Sequence, residues 1–282
     1  MILCGGHMDN FKTDVKVICC DIDGTLVRDD KSLSEENIKW IHKAVHEAGV
    51  HFTLVSGRMV SGVRPFYERM GITGPVSCYN GGTLVDEEGN IVDDHRMPHD
   101  IAMALMDIRD EVKVDALIFD GMRWFLETKD CYPYKPKVKI YESDCEVGPF
   151  RELLKVFDTN KVIFMSKDNA LLDHARKRIL ETLDHSKITL YRSGDFLEIM
   201  AAGYDKGSAI DALARHYDIS YSSIMALGDD YNDIPMLEKA GISVAMENAV
   251  PEAKAVSRYI TDTNNNDGVA KAIKKLVFGI ES

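Results

Sequence analysis

The sequence predicts an α/β fold: a parallel sheet flanked by helices, with a separate α+β domain inserted into it. Three observations carry this expectation. Short apolar runs at 15–20, 50–55, 76–79 and 223–227 each stop on small polar or acidic residues. Amphipathic stretches of helical period lie between them, the β-α-β-α-β order of a parallel sheet with helices on its faces. The rhythm breaks at Thr83 and resumes only after Gly203, which sets off a middle segment of mixed strands and helices. The expected division is an N-terminal tail over 1–13, a first part of the core over 14–96, an α+β domain over 97–200 and a second part of the core over 201–282.

Val15 to Cys20 reads as a strand buried on both faces, and it stops on Asp21, Asp23, Gly24 and Thr25. Residues just past the end of such a strand are the usual ligand positions of an open α/β sheet. Asp21 and Asp23 are two apart, so in an extended chain both carboxylates point to one side. Ser34 is a candidate helix cap, with Glu35 and Glu36 in the positive first turn and Ile38, Ile41, Ala44, Val45 and Ala48 on one face. Val50 to Val55 is a second strand, ending in Ser56-Gly57-Arg58. A helix over 59–70 follows, distorted by Pro65 or starting at it. Val76 to Tyr79 is a third strand, ending in Asn80-Gly81-Gly82.

Thr83–Val85 and Asn90–Val92 flank Glu87-Glu88-Gly89 as a hairpin. Ile101–Val112 is helical by spacing. Ala116–Phe119 and Trp124–Leu126 bracket the turn residues Asp120-Gly121. Lys129–Val147, with Pro133 and Pro136, is irregular; Lys135, Lys137 and Lys139 read as a solvated face, and Tyr132, Tyr134 and Tyr141 as packing residues. Val162–Met165 and Ile188–Tyr191 are strands around a helix over 169–183, and Phe196–Met200 is another. The core pattern then resumes: a helix over Lys206–Tyr217, with Ile210, Leu213 and Ala214 inward, and a strand over Ser223–Leu227. The acidic stretch Gly228-Asp229-Asp230-Tyr231-Asn232-Asp233 comes next. A helix to Lys239 stopped by Gly241, strands at 242–245 and 258–261, and a helix over 267–278 close the chain.

The formal net charge of −12 disfavours nucleic acid and anionic membranes as general partners. The six cysteines form no CxxC pair, and Cys19 and Cys20 fall in the predicted core strand, as expected of reduced thiols in a cytoplasmic protein. No apolar run approaches the length of a transmembrane helix. Gly6-His7-Met8 reads as a cloning remnant.

Asp21, Asp23, Asp229 and Asp233 all lie at predicted strand ends or in the loops after them. Parallel strands bring those ends together, and clustered carboxylates suit a hard cation such as Mg²⁺. Ser56 and Lys206, at comparable positions, offer a hydroxyl and an ammonium suited to a phosphate. The nine histidines show no metal-binding pattern, and the Walker-type phosphate loop is absent.

These motifs resemble those of the haloacid dehalogenase superfamily of phosphatases, in particular the Cof-type subfamily with a type IIB cap. DIDGT at 21–25 is similar to the first motif, LVSGR at 54–58 to the second, Lys206 in DKGSAI to the third and GDDYND at 228–233 to the fourth. Asn80-Gly81-Gly82 resembles an NGA-type segment with Gly82 in place of alanine. The resemblance implies a Rossmann-like core with an α+β cap, and Mg²⁺-dependent hydrolysis of small phosphomonoesters through an aspartyl-phosphate. It further implies Asp21 as nucleophile and Asp23 as acid and base, with the metal held by Asp21, the Asp23 carbonyl and Asp229. Asp233 would support the metal shell and Lys206, while Ser56, Gly57, Lys206 and Asn232 would hold phosphate. Thr25, Arg58 and Asn80 are further candidates. Sugar phosphates are the expected substrates, with pyridoxal phosphate and flavin mononucleotide as alternatives. A sugar phosphomutase of the same superfamily and a non-catalytic phosphometabolite sensor are the rival readings.

Overall fold

The computed structural model describes residues 13–132, 134 and 144–281. In chain order the first elements are β1 (Val17–Cys20), α1 (Glu35–His46), β2 (His51–Val55), α2 (Arg64–Met70), β3 (Val76–Cys78), β4 (Thr83–Val85) and β5 (Ile91–Asp94). There follow α3 (His99–Val112), β6 (Asp115–Asp120), β7 (Arg123–Leu126), β8 (Glu146–Val147), α4 (Phe150–Leu153), β9 (Lys161–Met165), α5 (Asn169–Thr182), β10 (Ile188–Ser193) and β11 (Phe196–Ala201). The last are α6 (Lys206–Tyr217), β12 (Ile224–Gly228), α7 (Ile234–Lys239), β13 (Ile242–Ala245), α8 (Pro251–Val256), β14 (Tyr259–Ile260) and α9 (Gly268–Phe278). The chain forms two compact units. One takes the described residues up to Val55, Phe66–Val76 and those from Lys206 onward; the other takes Ser56–Pro65 and Ser77–Asp205.

The first unit is α/β. Its strands run parallel in the order β14-β13-β12-β1-β2, with Val17 opposite both His51 and Ile224. The four residues of β1 are all fully buried, as a strand with helices on both faces requires. Ser34 caps α1 by accepting from the Glu36 and Asn37 amides. Asn37 lies on the buried face of α1, where its amide donates to the Leu26 carbonyl and its oxygen accepts from the Ala270 N–H. The second of these bonds ties α1 to α9, and Trp40 meets Phe278 edge-on at 5.4 Å. Ala48, expected on the inward face, is exposed because α1 ends at His46 before reaching it. The lack of a side chain on Gly241 matters for closeness: a Cβ there would sit 2.3 Å from the Ser222 Cα.

The second unit is α+β. Its six-stranded sheet runs β10-β11-β9-β6-β7-β8, antiparallel except for the β7–β8 pair. Helices α3 and α5 pack together, and their apolar faces join Ile118, Phe125, Phe164 and Ile199 of the sheet in one core. β4 and β5 form the anticipated hairpin, its turn held by the Asp86 carboxylate accepting from the Asn90 backbone and side-chain amides. Pro65 is the second residue of α2, where its missing N–H costs nothing.

Three short elements, β8, α4 and α8, were not signalled by periodicity, because two to six residues are too few to show one. The expectations for Pro133, Lys135, Pro136, Lys137, Lys139 and Tyr141 lie outside the described residues. No helix among the described residues is long and apolar enough to cross a membrane.

Candidate active site

At the end of β1 the Asp21 N–H donates to the Leu227 carbonyl at 3.0 Å, the last rung between β1 and β12. The chain then curls, with the Leu26 and Val27 amides both donating to the Ile22 carbonyl. Gly24 turns this corner at φ +87°, and a Cβ there would lie 2.2 Å from Asp229 Oδ2. A glycine is therefore what allows the Asp229 carboxylate to lie against the loop. Thr25 donates its hydroxyl to Asp229 Oδ1 at 2.7 Å.

Lys206 opens α6 and is fully buried. Its Nζ donates to Asp21 Oδ1 at 2.5 Å and to Asp233 Oδ1 at 2.6 Å. The other oxygen of Asp233 accepts from the Asp229 and Asp230 amides at 2.8 and 3.0 Å. Asp233 can fold back this way because a Cβ on Gly228 would fall 2.5 Å from its own Cβ. One carboxylate thus fixes both the lysine and the turn that carries Asp229.

Burial pushes Asp21 up to about 8, against the pull of the Lys206 ammonium and with a further push from Asp233. For Lys206, burial opposes the charge, but Asp21 and Asp233 outweigh it and hold the amine above the ordinary lysine range. Asp229 is raised to about 6, mainly by burial, with the Thr25 hydroxyl acting the other way. Burial, with a further push from Asp21, also raises the Cys20 thiol well above its usual value. Asp21, Asp229 and Asp233 each bring one carboxylate oxygen within 4.8 Å of the others, an all-oxygen donor set suited to a hard divalent cation. Asp233 already engages both oxygens, which leaves Asp21 and Asp229 as the freer donors.

Asp23 stands apart from that carboxylate group. It is exposed, and its Oδ1 accepts from Lys31 Nζ at 3.0 Å. The extended geometry assumed for 21–23 gives way to the turn at Ile22–Val27, so the two carboxylates differ in burial. Asn232 and Asp230 are exposed, Asp230 capping the turn at 231–233.

The remaining candidates belong to the second unit. Ser56 is buried; its N–H donates to the Ser77 carbonyl, its carbonyl accepts from the Asn80 amide, and its Oγ accepts from the Arg58 amide at 3.2 Å. A Cβ on Gly57 would lie 3.2 Å from the Asn80 side-chain amide. Asn80 is left-handed at φ 55°, a conformation asparagine tolerates better than most. Gly82 stands where alanine was expected, and a Cβ there would meet the Tyr204 ring at 2.7 Å. One buried residue went unnoticed in the sequence. Lys161 at the start of β9 donates to the Gly57 carbonyl at 3.2 Å. A lone lysine before an apolar run carries no signal of this.

A family model described as haloacid dehalogenase-like hydrolase matches residues 18–273. The Streptococcus pyogenes serotype M6 protein named "Putative phosphatase M6_Spy0533" is 34% identical over 275 residues, covering 93% of this chain and 98% of that one. The 5-amino-6-(5-phospho-D-ribitylamino)uracil phosphatase YcsE of Bacillus subtilis is 30% identical over 266 residues, covering 94% and 96%. The crystal structure of a haloacid dehalogenase-like hydrolase from Bacteroides thetaiotaomicron superposes with a TM-score of 0.83 at 28% identity, covering 93% of this chain and 99% of that one. Fold, motif order and full-length similarity agree: the chain is an enzyme of the haloacid dehalogenase-like hydrolase family.

Proposed function

We propose that the chain is a Mg²⁺-dependent phosphatase that hydrolyses small phosphorylated metabolites through an aspartyl-phosphate on Asp21. The observation that carries this reading is the buried Asp21–Lys206–Asp233 chain at the ends of β1 and β12. A carboxylate pinned by a buried ammonium is oriented for attack, and the same ammonium can hold a phosphoryl oxygen. In the first half-reaction an Asp21 oxygen bonds to phosphorus and the P–O bond to the alcohol breaks. Asp23, exposed and near solvent, gives its proton to the departing oxygen. In the second, Asp23 takes a proton from water, the water oxygen bonds to phosphorus and the Asp21–phosphorus bond breaks.

Asp21, the Asp23 carbonyl and Asp229 would hold the metal, with Asp233 supporting them. Bound there, Mg²⁺ would offset the phosphate charge that otherwise repels an anionic nucleophile. Ser56, Gly57 and Asn232 would supply further donors to the phosphoryl oxygens, and Thr25, Arg58 and Asn80 would support them. Sugar phosphates are the first choice of substrate. The compound in the YcsE name, a phosphomonoester on a ribityl chain, supports that class.

The test is phosphate release from a panel of sugar phosphates, pyridoxal phosphate and flavin mononucleotide, with Mg²⁺ and then with excess EDTA. We expect release that EDTA stops and that Asp21→Asn abolishes. Undiminished release by Asp21→Asn would remove the nucleophile from this scheme, and transfer to a second sugar in place of release would indicate a mutase.

A further inference from the structure

Lys161 is buried in the second unit, with its ammonium among the Gly57 carbonyl at 3.2 Å, Glu198 Oε2 at 3.3 Å and the rings of Tyr79 and Phe119 at 5.1 and 5.0 Å. Burying a lysine is costly unless its charge is met, and here an ion pair and two ring faces meet it. What remains unexplained by packing is its bond to Gly57. That carbonyl belongs to the same peptide unit as the Arg58 N–H, and the Arg58 N–H donates to Ser56 Oγ at 3.2 Å.

We propose that Lys161 is a positioning residue for Ser56, acting through the Gly57–Arg58 peptide. The ammonium pulls on the carbonyl end of a planar unit. That fixes the tilt of the plane and polarises the N–H at the other end, since hydrogen bonds in series strengthen one another. The Arg58 N–H in turn occupies one lone pair of Ser56 Oγ, which leaves the hydroxyl proton directed away from it as a donor. Glu198 holds Lys161 in place, and Asn80, against Gly57, closes the other side of the peptide. The proposal rests on the reading of Ser56 as a phosphate donor, and its test separates the two.

Lys161→Met removes the ammonium and keeps the stem; Lys161→Arg keeps a donor. The first readout is amide hydrogen exchange at Arg58, which does not depend on activity. We expect exchange at Arg58 at least about tenfold faster in Lys161→Met than in wild type, and close to wild type in Lys161→Arg. Unchanged exchange overturns the proposal. The second readout is release of phosphate from p-nitrophenyl phosphate. We expect Lys161→Met to lower kcat about 10- to 100-fold in the wild-type background and less than about twofold when Ser56 is already alanine. An equal loss in both backgrounds overturns the route through Ser56, and no loss in wild type overturns the positioning role. Should wild type itself release nothing, the phosphatase reading fails and the exchange result alone decides whether Lys161 holds this peptide. Glu198→Gln, which weakens the ion pair that holds Lys161 in place, replaces Lys161→Met if that variant does not fold; it should speed Arg58 exchange at least about threefold, and unchanged exchange in a folded Glu198→Gln protein overturns the proposal.

Discussion

Replacing Lys206 with methionine removes the ammonium that Asp21 and Asp233 share and puts a side chain of similar length in its place. Breaking a buried ion pair from one side costs about 3–5 kcal/mol. Burial holds the wild-type Asp21 up at about 8 against the pull of the ammonium, and without that pull its carboxyl titrates higher still. Below about pH 7 this carboxyl is protonated in both folded proteins, so the gap between them is set by the lost ion pair and does not change with pH. Above about pH 8 wild type has given up that proton and the variant has not, so the variant's stability goes on falling by about 1.4 kcal/mol per pH unit. Urea unfolding in EDTA should show Lys206→Met less stable than wild type by about 3–5 kcal/mol at pH 7, with the gap widening as pH rises from about 8 to about 9.5. A gap that stays flat over that range, or that is under about 1 kcal/mol at about pH 8, would refute the view of Lys206 as the counter-ion of this cluster.

The metal reading has its own pH signature. Asp229 and Asp21 are held up to about 6 and about 8, above their unfolded value, so each contributes stability to the metal-free protein at low pH that is lost as pH rises through those values. A cation needs both carboxylates deprotonated. The rise in Tm on adding Mg²⁺ should therefore be larger at pH 8 than at pH 6, and an equal rise at both counts against Asp21 and Asp229 as ligands. Gly24→Ala would place a methyl 2.2 Å from Asp229 Oδ2 at a φ of +87°. We expect Mg²⁺-dependent phosphate release to fall about 100-fold, since a shift of about 1 Å in such a group is worth that much; wild-type turnover would show that the position of Asp229 is not critical.

The sequence was most informative where local pattern and chemistry coincide. Val17–Cys20 is continuous apolar chain followed by acids, and the strand and its terminal carboxylate are both found there. Ser34 with Glu35 and Glu36 announced a helix start that the structure places at Glu35. Lys206–Tyr217 was legible to the residue because a glycine and a charged turn precede it. Side-chain direction was less legible. Whether Asp21 and Asp23 share an environment depends on how the chain turns after Cys20, and the bonds from the Leu26 and Val27 amides to Ile22 are invisible to spacing rules. Asn37 occupies an apolar face because it bonds α1 to a helix more than 230 residues away, which a pattern of hydrophobic residues reads as an error. Lys161 was missed for the same reason: its partners, Gly57 and Glu198, are distant in sequence.

The placement of β1 between β2 and β12 has a consequence for synthesis. β2 follows β1 within about 35 residues, but the partner on its other edge is not made until Ile224–Gly228 has been translated. At about 5–20 residues per second, the open edge waits roughly ten seconds or more. During that time an apolar strand carrying Cys19 and Cys20 lacks half of its backbone hydrogen bonds, including the one from the Asp21 amide to Leu227. An unpaired apolar edge is a template for association with other chains, and its thiols are open to oxidation until the strand is covered. Asp21 is thus among the last residues to be locked, and the nascent chain needs the most protection along the edge that β12 finally covers.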